Sequence, residues 1–330
     1  MKDLPHTSAL PERIASRLRL PLIAAPMLHV SGPNLVIAAC AAGVIGAFPT
    51  ANAKTIEELD SWLYQIGEAA AKIEVCESRK SAAPFCPNLI IRQPRLVDDL
   101  ACVIKHRAEI VITSVGSPAA VISPLHDAGC LVFADVATLR HAERAIAAGV
   151  DGLILLTAGA GGQTGWLNPI AFVRAVRQIF GGAVVLAGGI SDGVALWAAG
   201  VLGCDLAYMG TKFIATRESM ADDRYKHMLV DNSMDDIVLT NAFTGLQTNM
   251  LLPSIVNAGL DPAKLNELIS IPEAEEMYGG KATVTGPKRW QDVWSAGHSI
   301  SGVDRITSVA ELVDQTLSEY FEARDTTRAK

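Results

Sequence analysis

Short apolar runs alternate with amphipathic segments along the first two thirds of the chain. Strands that alternate with helices in this way are typical of a parallel sheet. Small and branched aliphatic residues dominate the apolar runs, as buried parallel strands require. The pattern predicts eight strands: Pro21–Ala25, Gly43–Ala47, Ser81–Ile91, Glu109–Ser114, Cys130–Ala134, Gly152–Leu156, Ala183–Ala187 and Asp205–Met209.

The segments between these strands begin and end at residues that favour helix termini. Asn168 followed by proline is a common helix start, and Gly129 and Gly149 stand where helices would end. Eight strand–helix units in succession favour a closed (β/α)8 barrel, the TIM-barrel α/β fold, over an open sheet. The predicted helices are Asn34–Ala42, Thr55–Ala71, Ser117–Ala128, Leu139–Ala148, Asn168–Phe180 and Asp192–Ala199.

The alternation stops after the eighth predicted strand. Met220–Asn232 and Pro262–Ile269 have helical character, and Ser308–Ala323 is an amphipathic closing helix. We therefore predict a barrel formed by residues 1–216 and 289–330. Residues 217–288 would form an inserted, mostly helical cap that shapes the substrate pocket.

Composition and charge exclude several classes of function. The chain has 28 lysines and arginines against 35 acidic residues and no basic run, so we expect no nucleic-acid partner. No apolar run suits a membrane span, and the N-terminus lacks the apolar core of a signal peptide. The six cysteines have no CxxC spacing, which predicts no metal site. A cytoplasmic enzyme fits these features, and its size is compatible with a homodimer.

Two glycine-containing segments carry the strongest chemical signal. Gly188 and Gly189 follow the seventh predicted strand, and Gly210 and Thr211 follow the eighth. In TIM barrels these two strand ends often bind a phosphate, since glycine lets backbone N–H groups approach the anion. Either segment alone is compatible with an ordinary turn. Both together, in this order, predict a phosphate site.

Two further segments lie at the predicted mouth of the barrel. Ala25, Pro26 and Met27 end the first strand, where a rigid proline and an apolar methionine suit a flat ring system. Met27 alone is equally compatible with core packing. Residues 159–165 follow the sixth strand with four glycines and Gln163, and predict close backbone approach to a bulky group. The alternative is a flexible loop in which Gln163 is solvated.

In this order, these segments resemble the nitronate monooxygenase family, formerly called 2-nitropropane dioxygenases. Pro87-Asn88-Leu89, Arg217-Glu218-Ser219 and the stretch 293–297 add to the resemblance, which covers about residues 20 to 320. It implies FMN as the cofactor, with O2 and a nitronate, or an activated carbonyl compound, as substrates. It also implies flavin contacts at Ala25, Pro26, Met27, Asn88, Gly162, Gln163, Gly188, Gly189, Gly210 and Thr211.

One position departs from the family pattern. The family usually has histidine, regarded as the catalytic base, where this chain has Gln163. An amide cannot take a proton near neutral pH, so Gln163 would orient an already anionic nitronate or serve another reaction. His29, His298 and Asp135 are candidate replacements near the mouth. Each has a structural alternative: an ordinary hydrogen-bonded histidine or, for Asp135, the cap of helix Leu139–Ala148.

Three functions stay open at this point. We expect oxidation of alkyl nitronates by O2 to a carbonyl compound and nitrite. The alternative is an FMN-dependent oxidoreductase of enoyl or acyl thioesters or quinones that uses NAD(P)H. The third is a flavin-binding barrel that has lost its catalytic residue. The first strand–helix turn lacks a Gly-x-Gly-x-x-Gly sequence, so any nicotinamide would bind only transiently over the flavin.

Overall fold

The computed structural model describes residues 8–73, 81–279 and 286–329. Eight parallel strands within them close into a barrel, in which the last strand pairs with the first. This confirms the predicted TIM barrel. The barrel strands are β1 (Leu22–Ala24), β2 (Ile45–Pro49), β3 (Phe85–Ile90), β4 (Ile110–Ser114), β5 (Leu131–Val136), β6 (Gly152–Leu156), β8 (Ala183–Ala187) and β9 (Leu206–Met209); β7 (Gly162–Gln163) lies outside the barrel.

Each predicted strand overlaps one of these barrel strands, although the third is shorter than expected. Residues 81–84 are not part of β3, and Pro84, which has no N–H for a ladder, directly precedes the strand. Alternate residues of each strand point to opposite faces. Ile23 and Phe133 therefore fill the barrel interior, whereas Leu22 and Val132 pack against the surrounding helices.

The helices surround the barrel, and the helix predicted to start at Asn168 has that residue as its N-cap. The Asn168 side chain accepts hydrogen bonds from the N–H groups of Ile170 and Ala171, at 3.0 and 3.2 Å. The helices are α1 (Glu12–Ala15), α2 (Pro33–Ala42), α3 (Ile56–Lys72), α4 (Leu96–Lys105), α5 (Ala119–Asp127), α6 (Leu139–Ala148), α7 (Pro169–Ile179), α8 (Gly193–Leu202), α9 (Thr211–Ile214), α10 (Asp223–Val230), α11 (Leu252–Asn257), α12 (Ile271–Tyr278) and α13 (Val309–Arg328).

Helix α13 confirms the predicted closing helix and packs against α2 and α8. A Cβ atom on Gly193 would lie 2.1 Å from the backbone nitrogen of Tyr320, so glycine is needed where α8 meets α13. Helix α4 was not predicted. Its Val97, Val103 and Ile104 have only modest intrinsic helix propensity, and burial of one face stabilises the helix instead.

The segment after β9 contains two strands that the sequence pattern did not predict. β10 (Ile237–Thr240) and β11 (Thr248–Leu251) pair antiparallel, and β11 also pairs with β7 at the barrel mouth.

The predicted helix Met220–Asn232 contains α10. The helix predicted at Pro262–Ile269 is wrong, because only a short 3-10 turn forms at Pro262–Lys264.

Local side-chain hydrogen bonds explain why that helix does not form. The Asp261 carboxylate accepts from the N–H of Ala263, and the Asn266 side chain accepts from the N–H of Leu268. Such bonds offer the backbone a turn in place of a helix. The division into a barrel and a substrate-binding cap at residues 217–288 stays a prediction.

Candidate active site

The carboxyl-terminal ends of β1 and β9 meet at the barrel mouth. The N–H of Ala25 donates to the carbonyl of Met209 at 3.0 Å. A Cβ atom on Gly210 would lie 3.5 Å from Met27 Sδ and 3.7 Å from Ala25 Cβ. The Ser31 hydroxyl accepts from the N–H of Met27 and donates to the carbonyl of Ala25, which fixes the turn around Pro26. The structure thus brings these three predicted residues to Gly210.

Gly188 and Gly189 follow β8 in backbone conformations that favour glycine. Their φ angles are 123° and 78°. Gly188 is enclosed, since a Cβ atom there would lie 2.6 Å from Thr157 Oγ1. Gly189 faces open space, with no heavy atom within 4 Å of such a Cβ. Within the described residues, the N–H groups of Gly189 and Gly210 donate to no protein acceptor.

Thr211 begins α9 directly after Gly210 and is 4% exposed. Its hydroxyl oxygen accepts a hydrogen bond from the N–H of Gly297 at 3.0 Å. Because the oxygen is used as an acceptor, the hydroxyl proton remains available to donate. The ends of β8 and β9 therefore present backbone and hydroxyl donors together, as an anion site requires.

Asn88 lies buried near the carboxyl end of β3 and pairs with β4. Its Nδ2 donates to Ser114 Oγ at 3.1 Å, and that hydroxyl is 3.2 Å from Asn88 Oδ1. An amide has two N–H groups, so one remains for a ligand. Contact of Asn88 with a flavin stays a prediction.

The glycine-rich loop after β6 is fastened to the C-terminal part of the chain. The carbonyl of Gly159 accepts from the N–H of His298 at 2.9 Å. A Cβ atom on Gly161 would lie 2.7 Å from the backbone nitrogen of Gly297. Asn249 Nδ2 donates to the carbonyl of Ala160 at 2.7 Å. The glycines are therefore required for close backbone packing, and Asn249 positions the loop.

Gln163 is held in a strand at the mouth of the barrel. In β7, Gly162 pairs with Asn249 and Gln163 pairs with Thr248. The next residue, Thr164, donates its N–H to the carbonyl of Gln247 at 3.0 Å. The alternative of a flexible loop is therefore wrong, and the partly exposed Gln163 side chain projects from a paired strand.

His29 and His298 both lie beside the mouth and are exposed. The backbone of His29 has a φ of 59°, and its N–H donates to Asn52 Oδ1 at 2.9 Å. Partial burial and the nearby charge of Lys54 lower the pKa of His29. The His298 ring packs over Gly159, where a Cβ atom would lie 2.9 Å from Nδ1. Their catalytic roles stay predictions.

Two polar groups face the barrel interior without a hydrogen-bond partner among the described residues: Asp135 Oδ1 and the Tyr208 hydroxyl. Burial raises the pKa of Asp135 to about 7. Burial and the charge of Asp135 raise the pKa of Tyr208 well above its usual range. Tyr208 was not among the predicted site residues, although strand alternation with Leu206 and Gly210 directs its side chain inward.

The alternative role for Asp135, as the cap of helix α6, is wrong. Helix α6 is capped by Thr138, whose side chain accepts from the N–H of His141 at 3.1 Å. Asp135 is instead the second-last residue of β5. The residue is partly exposed, although its Oδ1 atom is enclosed. An unpaired carboxyl group at the mouth of a TIM barrel is in a position typical of catalytic residues.

The pKa of Asp135 predicts a pH-dependent stability. The unfolded chain loses the Asp135 proton near the usual pKa of 3.8, whereas the folded protein keeps it up to about pH 7. The free energy of unfolding therefore falls as the pH rises from about 4 to about 7, and the loss persists above pH 7. We expect Asp135→Asn to stabilise the protein more at about pH 8 than at about pH 5, by roughly 2 to 3 kcal/mol.

Urea unfolding of both proteins at the two pH values measures this difference. Asp127→Asn, at an exposed aspartate in α5, corrects for the general loss of a negative charge. Equal effects of Asp135→Asn at both pH values would show that the carboxyl group is ionised throughout.

A closed barrel with hydrogen-bond donors at the carboxyl ends of its strands is typical of TIM-barrel enzymes. A family model described as Nitronate monooxygenase matches residues 13–319. The chain therefore belongs to the nitronate monooxygenase family and is a flavin-dependent oxidoreductase. Within the described ranges, no helix is long and apolar enough to cross a membrane.

Individual relatives are also named as oxidoreductases. A nitronate monooxygenase of Paraburkholderia phytofirmans is 28% identical and covers 92% of this chain and 93% of its own length. A 5-hydroxy-7a-methyl-1-oxo-octahydro-1H-indene-4-carboxyl-CoA dehydrogenase of Rhodococcus jostii is also 28% identical. That match covers 72% of this chain and 64% of the relative.

Two solved structures share the fold over nearly the whole chain. FabK from Thermotoga maritima has a TM-score of 0.80 at 24% identity and covers 97% of this chain and 99% of its own. A nitroalkane oxidase from Streptomyces ansochromogenes has a TM-score of 0.75 at 25% identity, with 94% and 99% coverage.

Proposed function

We propose that this enzyme binds FMN and oxidises alkyl nitronates with O2 to a carbonyl compound and nitrite. The observation that carries the proposal is the fixed position of Gln163 in β7, next to the glycine-rich loop. Its amide can donate hydrogen bonds to the anionic nitro group but cannot remove a proton. A nitronate is already deprotonated, so its oxidation needs no base at this position.

The residues at the ends of β8 and β9 fit the phosphate of FMN. The N–H groups of Gly189 and Gly210 and the hydroxyl of Thr211 are donors without another acceptor among the described residues. Hydrogen bonds from fixed donors to a charged phosphate are stronger than those to neutral groups. The remaining positions proposed to hold the cofactor are Gly188 at the phosphate, and Ala25, Pro26, Met27, Asn88 and Gly162 around the ring.

FMN, when bound, supplies the electron-accepting chemistry. Gln163 orients the nitronate, and the partly buried Met27 helps exclude water from the mouth. Asp135 can hold or release a proton at its carboxyl oxygens near neutral pH, because burial raises its pKa to about 7. We further propose that residues 217–288 shape the substrate pocket, since β11 is paired with β7 beside Gln163.

A second candidate function is oxidation or reduction next to the carbonyl of an acyl thioester. Asp135 favours it, because a carboxyl group with a pKa near 7 suits removal of a proton beside an activated carbonyl. The relative from Rhodococcus jostii is named as a carboxyl-CoA dehydrogenase, which supports the same class of substrate.

Anaerobic stopped-flow spectroscopy of the FMN-loaded enzyme distinguishes these functions. We expect propyl nitronate to bleach the flavin absorbance, and NADH, NADPH and an acyl-CoA to leave it unchanged. Bleaching by NAD(P)H or by the thioester alone would favour the second function. No bleaching by any donor, with FMN still bound, would identify a flavin-binding protein without this activity.

A further inference from the structure

Three side chains with metal-binding atoms meet on the outer helices. Asp60 lies in α3, Cys102 lies in α4, and His106 caps the end of α4. Their ligand atoms all lie within 4.8 Å of one another. Cys102 and His106 are one helical turn apart and share a face of α4. The sequence pattern predicted no metal site, because Asp60 is distant along the chain and no CxxC pair is present.

The Asp60 carboxylate is the centre of this cluster. Its Oδ1 atom is 2.7 Å from His106 Nε2 and 3.7 Å from Cys102 Sγ, which donates to it. Lys105 Nζ donates to the same oxygen at 2.7 Å. Hydrogen bonds from Lys105 and His106 hold the pKa of Asp60 down to about 2. An imidazole and a thiol thus both contact one carboxylate oxygen, and an ammonium group that contacts the same oxygen now supplies the positive charge.

We propose that Asp60, Cys102 and His106 bind a thiophilic divalent cation of the Zn²⁺ type, with water as the fourth ligand. Thiolate, imidazole and carboxylate are the ligands that Zn²⁺ prefers. Binding releases the Cys102 proton to solvent and displaces Lys105, whose side chain is 65% exposed and can turn outward. Ligand distances of about 2.0 to 2.3 Å to a tetrahedral metal place the ligand atoms about 3.3 to 3.8 Å apart. The contact of 2.7 Å between Asp60 and His106 must therefore open, whereas the 3.7 Å between Asp60 and Cys102 already has this spacing.

The burial of the three ligands suits such a site. The Cys102 side chain is buried, His106 is half-buried, and the Asp60 side chain is 41% exposed. The thiol is therefore protected while one side of the cluster stays open to solvent, which leaves an entry path for the ion. The bound cation would join α3 to α4 on the outside of the barrel.

Cobalt substitution tests the site by a signal that does not depend on activity. Co²⁺ is titrated into full-length protein pretreated with a chelator, and a thiolate–cobalt charge-transfer band is followed in the near ultraviolet. We expect one equivalent to bind in the wild type and the band to disappear in Cys102→Ser. The control is Cys130→Ser, because the Cys130 thiol donates to the carbonyl of Ala108 at 2.7 Å and lies outside the cluster.

Two further variants keep the test decisive if Cys102→Ser folds poorly. Asp60→Asn is expected to weaken Co²⁺ binding at least about tenfold, whereas Asp98→Asn, at an exposed position of α4, is expected to leave it unchanged. Lys105→Gln removes the competing ammonium and is expected to tighten binding about two- to fivefold. A wild type without the band, or a band that survives in Cys102→Ser, would overturn the proposal.

Discussion

Gly189→Ala is expected to weaken FMN binding by about a hundredfold or more, whereas Gly129→Ala is expected to leave it unchanged. The two glycines are matched in structure. Their φ angles are 78° and 80°, and a Cβ atom on either would meet no heavy atom within 4 Å. Alanine therefore introduces the same backbone strain, about 1 to 2 kcal/mol, at both positions.

The two positions differ in where they lie on the barrel. Gly189 follows β8 at the mouth, and Gly129 precedes β5 at the opposite end. A methyl group on Gly189 would occupy the open space through which a phosphate must approach the N–H group. Fluorescence titration with FMN measures the affinity, and urea unfolding confirms that both variants lose similar stability. Equal FMN affinity in the two variants would contradict the proposed position of the phosphate.

The second large effect concerns Gln163. We expect the wild-type enzyme to oxidise propyl nitronate but not the neutral nitroalkane, because the amide cannot act as a base. Gln163→His should then gain turnover of the neutral nitroalkane, by the factor of about 10² to 10⁴ that a positioned general base contributes. The gain should increase with pH as the imidazole loses its proton.

Oxygen consumption with the two substrates measures this gain. Gln247→His is the control, since Gln247 is an exposed residue whose carbonyl accepts from the N–H of Thr164, directly after β7. Fast wild-type turnover of the neutral nitroalkane would show that another base is present. In that case loss of turnover in Asp135→Asn would identify Asp135 as this base.

The barrel could be predicted from the sequence because its strands are short, buried on both faces and separated by clear helix caps. Elements without those signals were missed. β7 has only two residues and one is glycine, so no pattern of alternation marks it. β10 pairs with β11, and β11 also pairs with β7, so both strands depend on tertiary pairing.

The candidate site could be predicted where its residues come directly after the ends of strands in the sequence. Gly188, Gly189, Gly210 and Thr211 lie next to each other because their strands are neighbours in the sheet. The environment of Asp135 could not be predicted, because its burial depends on side chains from other strands. The cluster of Asp60 and Cys102 was hidden for the same reason, since packing of α3 against α4 brings the two residues together.

The affinity of the wild-type protein for riboflavin relative to FMN tests the central claim most directly. The two molecules share the ring system and differ in the phosphate, so the ratio isolates what the backbone amides after β8 and β9 contribute. We predict that FMN binds at least about a hundredfold more tightly than riboflavin, as several charge-assisted hydrogen bonds require. Equal affinities, or no binding of either molecule, would contradict a phosphate site at Gly189 and Gly210.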